Sequence, residues 1–167
     1  RRRPNTDTDM LEVRKITGIR PNDWEVVDRA FDSVEPQKIA CCNWADEYPY
    51  TPDVRFRIFH TGDYLMVRFD VAERYTAALV DEDNGRVWTD SCVEIFIAPD
   101  EETYYNFETS CIGHMLLGAH RRGEKTVPAP PEVLASVKRH TSLPSTPFEE
   151  RVGDNRWHVV LAIPPQA

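Results

Sequence analysis

A chain of 167 residues is long enough for one domain with a real core and too short to suggest two. Hydrophobic residues make up 41% and charged residues 29%, the balance of a folded chain rather than a disordered one. With 28 acidic residues against 20 basic ones, the net charge of -8 repels phosphate backbones and argues against nucleic acid as a partner.

No apolar run approaches the roughly 20 residues of a membrane-spanning helix, so no membrane span is expected. The opening RRRPNTDTDM is charged with no apolar segment after it, which is not an intact signal peptide; residues 1–10 read as a flexible basic segment. Cys41, Cys42, Cys92 and Cys111 show no CxxC spacing, and the histidines supply no regular partners for a structural zinc. Adjacent Cys41 and Cys42 point to opposite faces of an extended chain and do not bridge each other, while a Cys92 to Cys111 pairing stays open.

Taken in chain order, period-two alternation and β-branched or aromatic enrichment recur, and helical periods are few. A first strand is expected over residues 11–17. After a loop around residues 21–24, a second is expected near 38–42. In VRFRIFHTGDYLMVRFDV, Val54, Phe56 and Ile58 alternate with arginines, a Thr-Gly-Asp turn follows, and Leu65, Val67, Phe69 and Val71 alternate again, which predicts an antiparallel hairpin. Residues 72–86 end in DEDNG and read as a loop or one short helix. A strand over 87–97 then turns at 99–102 and returns over 104–112, extending toward Leu117. The basic, proline-rich stretch 118–131 reads as a solvated loop. Two further strands are expected at 133–141 and 157–163, separated by turns over 142–155.

Strands joined by turns without long helices indicate an all-β fold, an antiparallel β-sandwich of jelly-roll-like or immunoglobulin-like two-sheet architecture. Residues 11–167 form its single domain. The ending IPPQA follows an edge strand that would normally lead somewhere, so the domain is expected to lack its C-terminal part.

The chemistry concentrates in VWTDSCVEIFIAPDEETYYNFETSCIG, residues 87–113. On a regular strand Val93, Ile95 and Ile97 share the buried face, and Trp88, Asp90 and Glu94 share the other. On the returning strand Tyr104, Asn106, Glu108 and Ser110 share a face opposite Tyr105 and Phe107. With Tyr105 and Phe107 in the core, the polar row sits beside Glu94. A ring beside carboxylates and amides suits a pyranose, whose C–H face stacks on an aromatic while its hydroxyls need fixed donors and acceptors. The plainer reading is that Trp88 caps the core and the acids solvate an exposed face.

The order W-x-D-x-x-V-E-I-F-I, then a turn and Y-x-F-E, preceded by V-R-F…G-D-Y-L-x-V-x-F-x-V, resembles the family 9 carbohydrate-binding modules and the wider family-9-like domains of the DOMON superfamily, over residues 24–163. The resemblance implies a β-sandwich that grips a mono- or disaccharide unit, often at a chain end, between two tryptophans. Trp88 falls at one stacking tryptophan and Glu94 at a glutamate that hydrogen-bonds sugar hydroxyls, with Asp90, Asn106, Glu108 and Ser110 around them. Glu108 stands where an arginine contacts sugar in some members, and Ser110 where an asparagine is usual. The second tryptophan belongs to a segment beyond residue 163. Trp157, at the start of a strand, reads as core packing.

The resemblance further implies non-catalytic carbohydrate binding in polysaccharide degradation, association with a glycoside hydrolase, and a secreted or extracytoplasmic location. Some members bind structural calcium, for which Asp81, Asp83 and Asp90 are the available carboxylates, although DEDNG lacks a full ligand pattern and reads as an acidic turn. Three rival readings stand beside this one. Asp90 and Glu94 lie about 13 Å apart along a strand, too far for a glycosidase pair that needs about 5 to 9.5 Å, whereas Glu94 and Glu108 could meet across the hairpin. Met66, His114 and Met115 are the candidates for haem, which some DOMON members hold. The sandwich could also serve as a structural or docking domain without ligand. Tyr48 and Tyr50, interleaved with prolines, read as packing a loop against the sandwich rather than extending a sugar platform.

Overall fold

The computed structural model describes residues 10–167, so the expected flexible segment over 1–10 lies, Met10 apart, outside the described residues. Two sheets make the sandwich. The larger has six strands in the order β1 (Arg14–Lys15), β3 (Asp53–His60), β4 (Leu65–Ala78), β10 (Phe148–Ile163) and β9 (Lys138–Thr141), with β2 (Gln37–Lys38) also paired to β3. The smaller has four strands in sequential order: β5 (Cys92–Ile97), β6 (Thr103–Ser110), β7 (Met115–Arg121) and β8 (Val127–Pro128). The all-β sandwich is therefore the observed architecture. All pairings are antiparallel except β1 with β3.

Between the sheets, Val67, Phe69, Val71, Trp157, Val159 and Leu161 of the larger sheet meet Val93, Phe107, Met115 and Leu117 of the smaller. Each such side chain removed from water contributes roughly 1.5–3 kcal/mol, so burial in this layer is what chiefly holds the sheets face to face. Trp157 is only 4% exposed and donates its indole N–H to Glu73 Oε1 at 2.7 Å, which makes it a core residue.

Several elements differ from the sequence reading. Residues 24–32 form a helix, α1 (Trp24–Asp32), capped by the Asp23 carboxylate accepting from Val26 N–H at 3.4 Å. Val27 and Phe31, one turn apart, pack it on Phe59, Met66, Val160 and Ala162 on the outer face of the larger sheet. Its period is easily missed because four of its nine residues are charged. The expected strands at 11–17 and 38–42 shrink to two residues each. Residues 72–78 continue β4 instead of looping out, because 148–156 lengthens β10 to cover them, with register shifts on the way. The 133–141 strand divides into a short helix, α2 (Pro131–Ser136), and β9, since Pro131 sets the first helical turn.

The return strand also ends earlier than expected. Gly113, at φ +96°, closes a turn in which Ser110 N–H reaches His114 O at 2.8 Å and Gly113 N–H reaches Ser110 O at 2.9 Å, so β7 is a separate strand. β7 and β8 in turn order part of the stretch expected to be a loop at 118–131. No helix among the described residues is long and apolar enough to cross a membrane.

Candidate functional site

Register decides which side chains of the smaller sheet face outward together. Val93, Phe107, Thr109, Met115 and Leu117 are buried, so the alternate positions point away from the core. Glu94 pairs with Glu108, which pairs with Leu116; one rung on, Phe96 pairs with Asn106, then Gly118; Cys92 pairs with Ser110, and Tyr104 with His120. Four of the expected residues, Glu94, Asn106, Glu108 and Ser110, thus share one face.

That face is unusually rich in polar atoms without partners. Asn106 donates its amide N–H to Glu108 Oε1 at 2.6 Å, yet Asn106 Oδ1, Glu108 Oε2 and Ser110 Oγ find no hydrogen-bond partner among the described residues. Inward-facing Thr109 and His158 on the larger sheet carry the other two such atoms. A buried polar atom left unpaired costs about 1–3 kcal/mol, and these three are screened from solvent by their neighbours, so they form a polar layer beneath the exposed Glu94 rather than groups open at the surface.

The electrostatics agree. Burial raises the Glu94 carboxyl above its ordinary range, and burial followed by the charge of Glu94 raises Glu108, against the hydrogen bond from Asn106. No Lys or Arg occupies the outward positions of β5 and β6. Because the charge of Glu94 helps to raise Glu108, the two carboxyls titrate as a coupled pair. In its ionised form the pair accepts hydroxyl hydrogens.

Trp88 and Asp90 do not lie on a regular strand, where the alternation had them. Residues 87–89 form a 3-10 turn lying against β6, and β5 begins only at Cys92. Ser91 anchors this junction: its N–H donates to Ala77 O at 2.9 Å, its hydroxyl accepts from Ala77 N–H at 3.2 Å, and its carbonyl accepts from Cys111 N–H at 2.8 Å. Asp90 Oδ2 accepts the N–H groups of Leu79 at 2.9 Å and Val80 at 2.8 Å, so Asp90 ties off the end of β4 rather than lying in the polar row. Trp88 is 51% exposed, with the Arg86 guanidinium 5.5 Å from its ring centroid.

The preceding loop is fixed to the sheet edge. Asp83 accepts Met115 N–H at 3.0 Å and both arms of Arg139 at 2.8 Å, and Asn84, in the left-handed conformation at φ 57°, exchanges bonds with Met115, Leu117 and Ala129. Asp81 and Asp83 flank His114 at 3.3 and 3.6 Å. With Asp83 held by Arg139 and Asp90 by two amides, the three acids do not converge, and the described residues contain no cluster of three metal-ligating side chains. The haem candidates do not converge either: Met66 is buried under α1, and Met115 lies between the sheets.

All four cysteines are free; burial pushes the thiols of Cys92 and Cys111 up to about 12, which leaves them protonated and unreactive. Tyr48 is exposed, while Tyr50 packs edge-on to Tyr75 at 5.9 Å and accepts Arg74 N–H on its hydroxyl at 2.7 Å. Sequence reasoning overlooked Phe96 and His120 as members of the outward face and left Tyr104 without a role. Phe96 and Tyr104 are 57% and 41% exposed, and their alternation with Ile95, Ile97 and Tyr105 was the available signal.

Residues 25–167 match the profile of carbohydrate-binding family 9. The chain belongs to that family. This family 9 chain also matches the crystal structure of a candidate carbohydrate-binding protein from Bacteroides uniformis ATCC 8492, with 41% sequence identity and a TM-score of 0.88, over 93% of this chain and 72% of that one. No curated protein matches it.

Proposed function

We propose that this family 9 chain binds carbohydrate without catalysis, through the outward face of its four-stranded sheet, with residues 11–167 acting as one binding domain. The observation that carries the reading is the in-register Glu94–Glu108 pair on an outward face that also exposes Phe96 and Tyr104. Carboxylates accept sugar hydroxyl hydrogens with charge assistance, and Asn106 holds Glu108 in place through its amide N–H. Ser110, fully buried at the end of the same row, lies beneath the site and does not reach the ligand. Trp88 offers the face not approached by Arg86 to the C–H side of a sugar ring. Asp90 supports the turn that carries Trp88.

Kinship with the DOMON superfamily, service to a glycoside hydrolase in polysaccharide breakdown, and a secreted location are part of the proposal and rest on the resemblance of the motifs alone. The test is titration calorimetry against mono- and oligosaccharides with Trp88→Ala alongside. Trp88→Ala is expected to lower affinity roughly tenfold or more while leaving the fold intact, since an exposed platform gives contact area to ligand and little to the core. A folded wild type that binds no sugar would instead mark the sandwich as a structural or docking domain.

A further inference from the structure

Beyond the paired acids, the outward face does not end. Phe96 stands one rung past Glu94, and Tyr104 two rungs past Glu108. At about 3.4 Å per residue, Tyr104 is roughly 14 Å from Glu108 along β6, and Ser110 to Tyr104 spans roughly 20 Å. A pyranose is about the size of the aromatic ring it stacks on, so one sugar held by Trp88 and Glu94 leaves Phe96 and Tyr104 uncovered.

These rings are set in place. Tyr104 stacks on His120 with centroids 4.5 Å apart and planes 2° from parallel, and Phe96 lies 6.0 Å from Tyr104 at 46°. His120 Nδ1 and Thr126 Oγ1 are 2.9 Å apart and hydrogen-bonded. Gly118 leaves room beside the ring, since a Cβ there would lie 3.1 Å from His120 Nε2 and from Thr126 Cγ2. An exposed aromatic pair fixed in this way binds a flat apolar ligand face with little further loss of side-chain freedom. Between the rings and the acids sits Asn106, 8% exposed, with its carbonyl oxygen unpartnered among the described residues.

We infer that the ligand is a linear, neutral oligosaccharide lying along β6, with one sugar unit at Trp88, Glu94 and Glu108 and a more distant unit stacked on Phe96 and Tyr104. The inference rests on the carbohydrate-binding reading above and adds the length and charge of the ligand to it. Neutrality follows from the balance of the face: two carboxylates point outward there, the outward positions of β5, β6 and β7 from Cys92 to His120 carry no Lys or Arg, and the Arg86 guanidinium beside the first sugar unit lies over the Trp88 ring.

The experiment is calorimetric titration of the chain with neutral gluco-, xylo- and manno-oligosaccharides, from monosaccharide to hexasaccharide, and with a polyuronate of similar length. Phe96→Ala and the double variant Phe96→Ala/Tyr104→Ala are titrated in parallel, with thermal melting as the check on folding. Wild-type affinity for one neutral series is expected to rise about tenfold from disaccharide to hexasaccharide. The variants should keep the disaccharide affinity and lose that rise, and the polyuronate should bind more weakly than any member of the series. Phe96→Ala, which removes one exposed ring, reads the same loss if the double variant melts early. Length-independent affinity, equal weakening of short and long ligands in the variants, or preference for the polyuronate would overturn this inference and leave the carbohydrate-binding reading standing. A folded wild type that binds no sugar would overturn both.

Discussion

Arg139→Ala removes a contact that lies off the outward face of the four-stranded sheet and yet fixes the loop that leads to Trp88. Arg139 donates to both oxygens of Asp83 at 2.8 Å and to Gly113 O at 2.8 Å, with side-chain exposures of 19% for Arg139 and 30% for Asp83. Without it, Asp83 keeps only Met115 N–H and His114, and the Gly113 carbonyl loses its donor. Breaking a fully buried pair costs about 3–5 kcal/mol, but water reaches part of this one, so the expected loss is about 2 kcal/mol. For a chain of this size that lowers Tm by roughly 4–8 °C in a thermal melt.

The pH dependence of that loss identifies its origin. Burial alone would raise the Asp83 carboxyl, but the Arg139 hydrogen bonds, Met115 N–H and the Arg139 charge outweigh it and hold the carboxyl below its ordinary 3.8. A lowered folded value means that the stabilisation is present above 3.8 and is lost as pH falls through the folded value. Wild type and Arg139→Ala should therefore differ most near neutrality and converge on strong acidification. The double variant Asp83→Ala/Arg139→Ala should be less destabilised than the sum of its single variants, since it leaves no orphaned charge. An Arg139→Ala melt matching wild type near neutrality, or strict additivity in the double variant, would refute the reasoning.

Acidification should weaken carbohydrate affinity starting above 4.5, the ordinary glutamate value, because both raised carboxyls take up protons early and lose their capacity as charged acceptors. Glu94→Gln should move the remaining Glu108 titration downward; calorimetry across pH checks this, and affinity that stays flat into the ordinary carboxylate range contradicts it. The same raised values give a stability contribution that is present below 4.5 and lost as pH rises through the folded values, so Glu94→Gln should melt slightly higher than wild type at neutral pH. Trp157→Phe removes the indole N–H held by Glu73 and should cost about 1–3 kcal/mol in denaturant unfolding with sugar affinity unchanged. A loss of affinity without a loss of stability would place Trp157 in the binding site instead.

Sequence alone determined the parts governed by alternation. The hairpin of β3 and β4, the inward faces of β5 and β6, the core role of Trp157 and the sharing of one face by Glu94, Asn106, Glu108 and Ser110 all follow from period two, because a side chain on a buried sheet cannot change sides without slipping the register. Alternation failed where the backbone leaves the strand. Trp88 and Asp90 were counted onto that face as if 87–97 were regular, but the 3-10 turn breaks the count and Asp90 instead accepts two amides from the end of β4.

Other features depended on partners remote in sequence. Residues 72–78 extend as strand because 148–156 is there to pair with them. α1 is stable as a helix because Val27 and Phe31 find an apolar patch on the outer side of the larger sheet, which its own charged sequence does not announce. The aromatic end of the outward face was hidden for the same reason: Phe96, Tyr104 and His120 come from three strands, and only cross-strand register brings their rings together. Local alternation sets which way a side chain points, while pairing between distant segments sets what stands beside it.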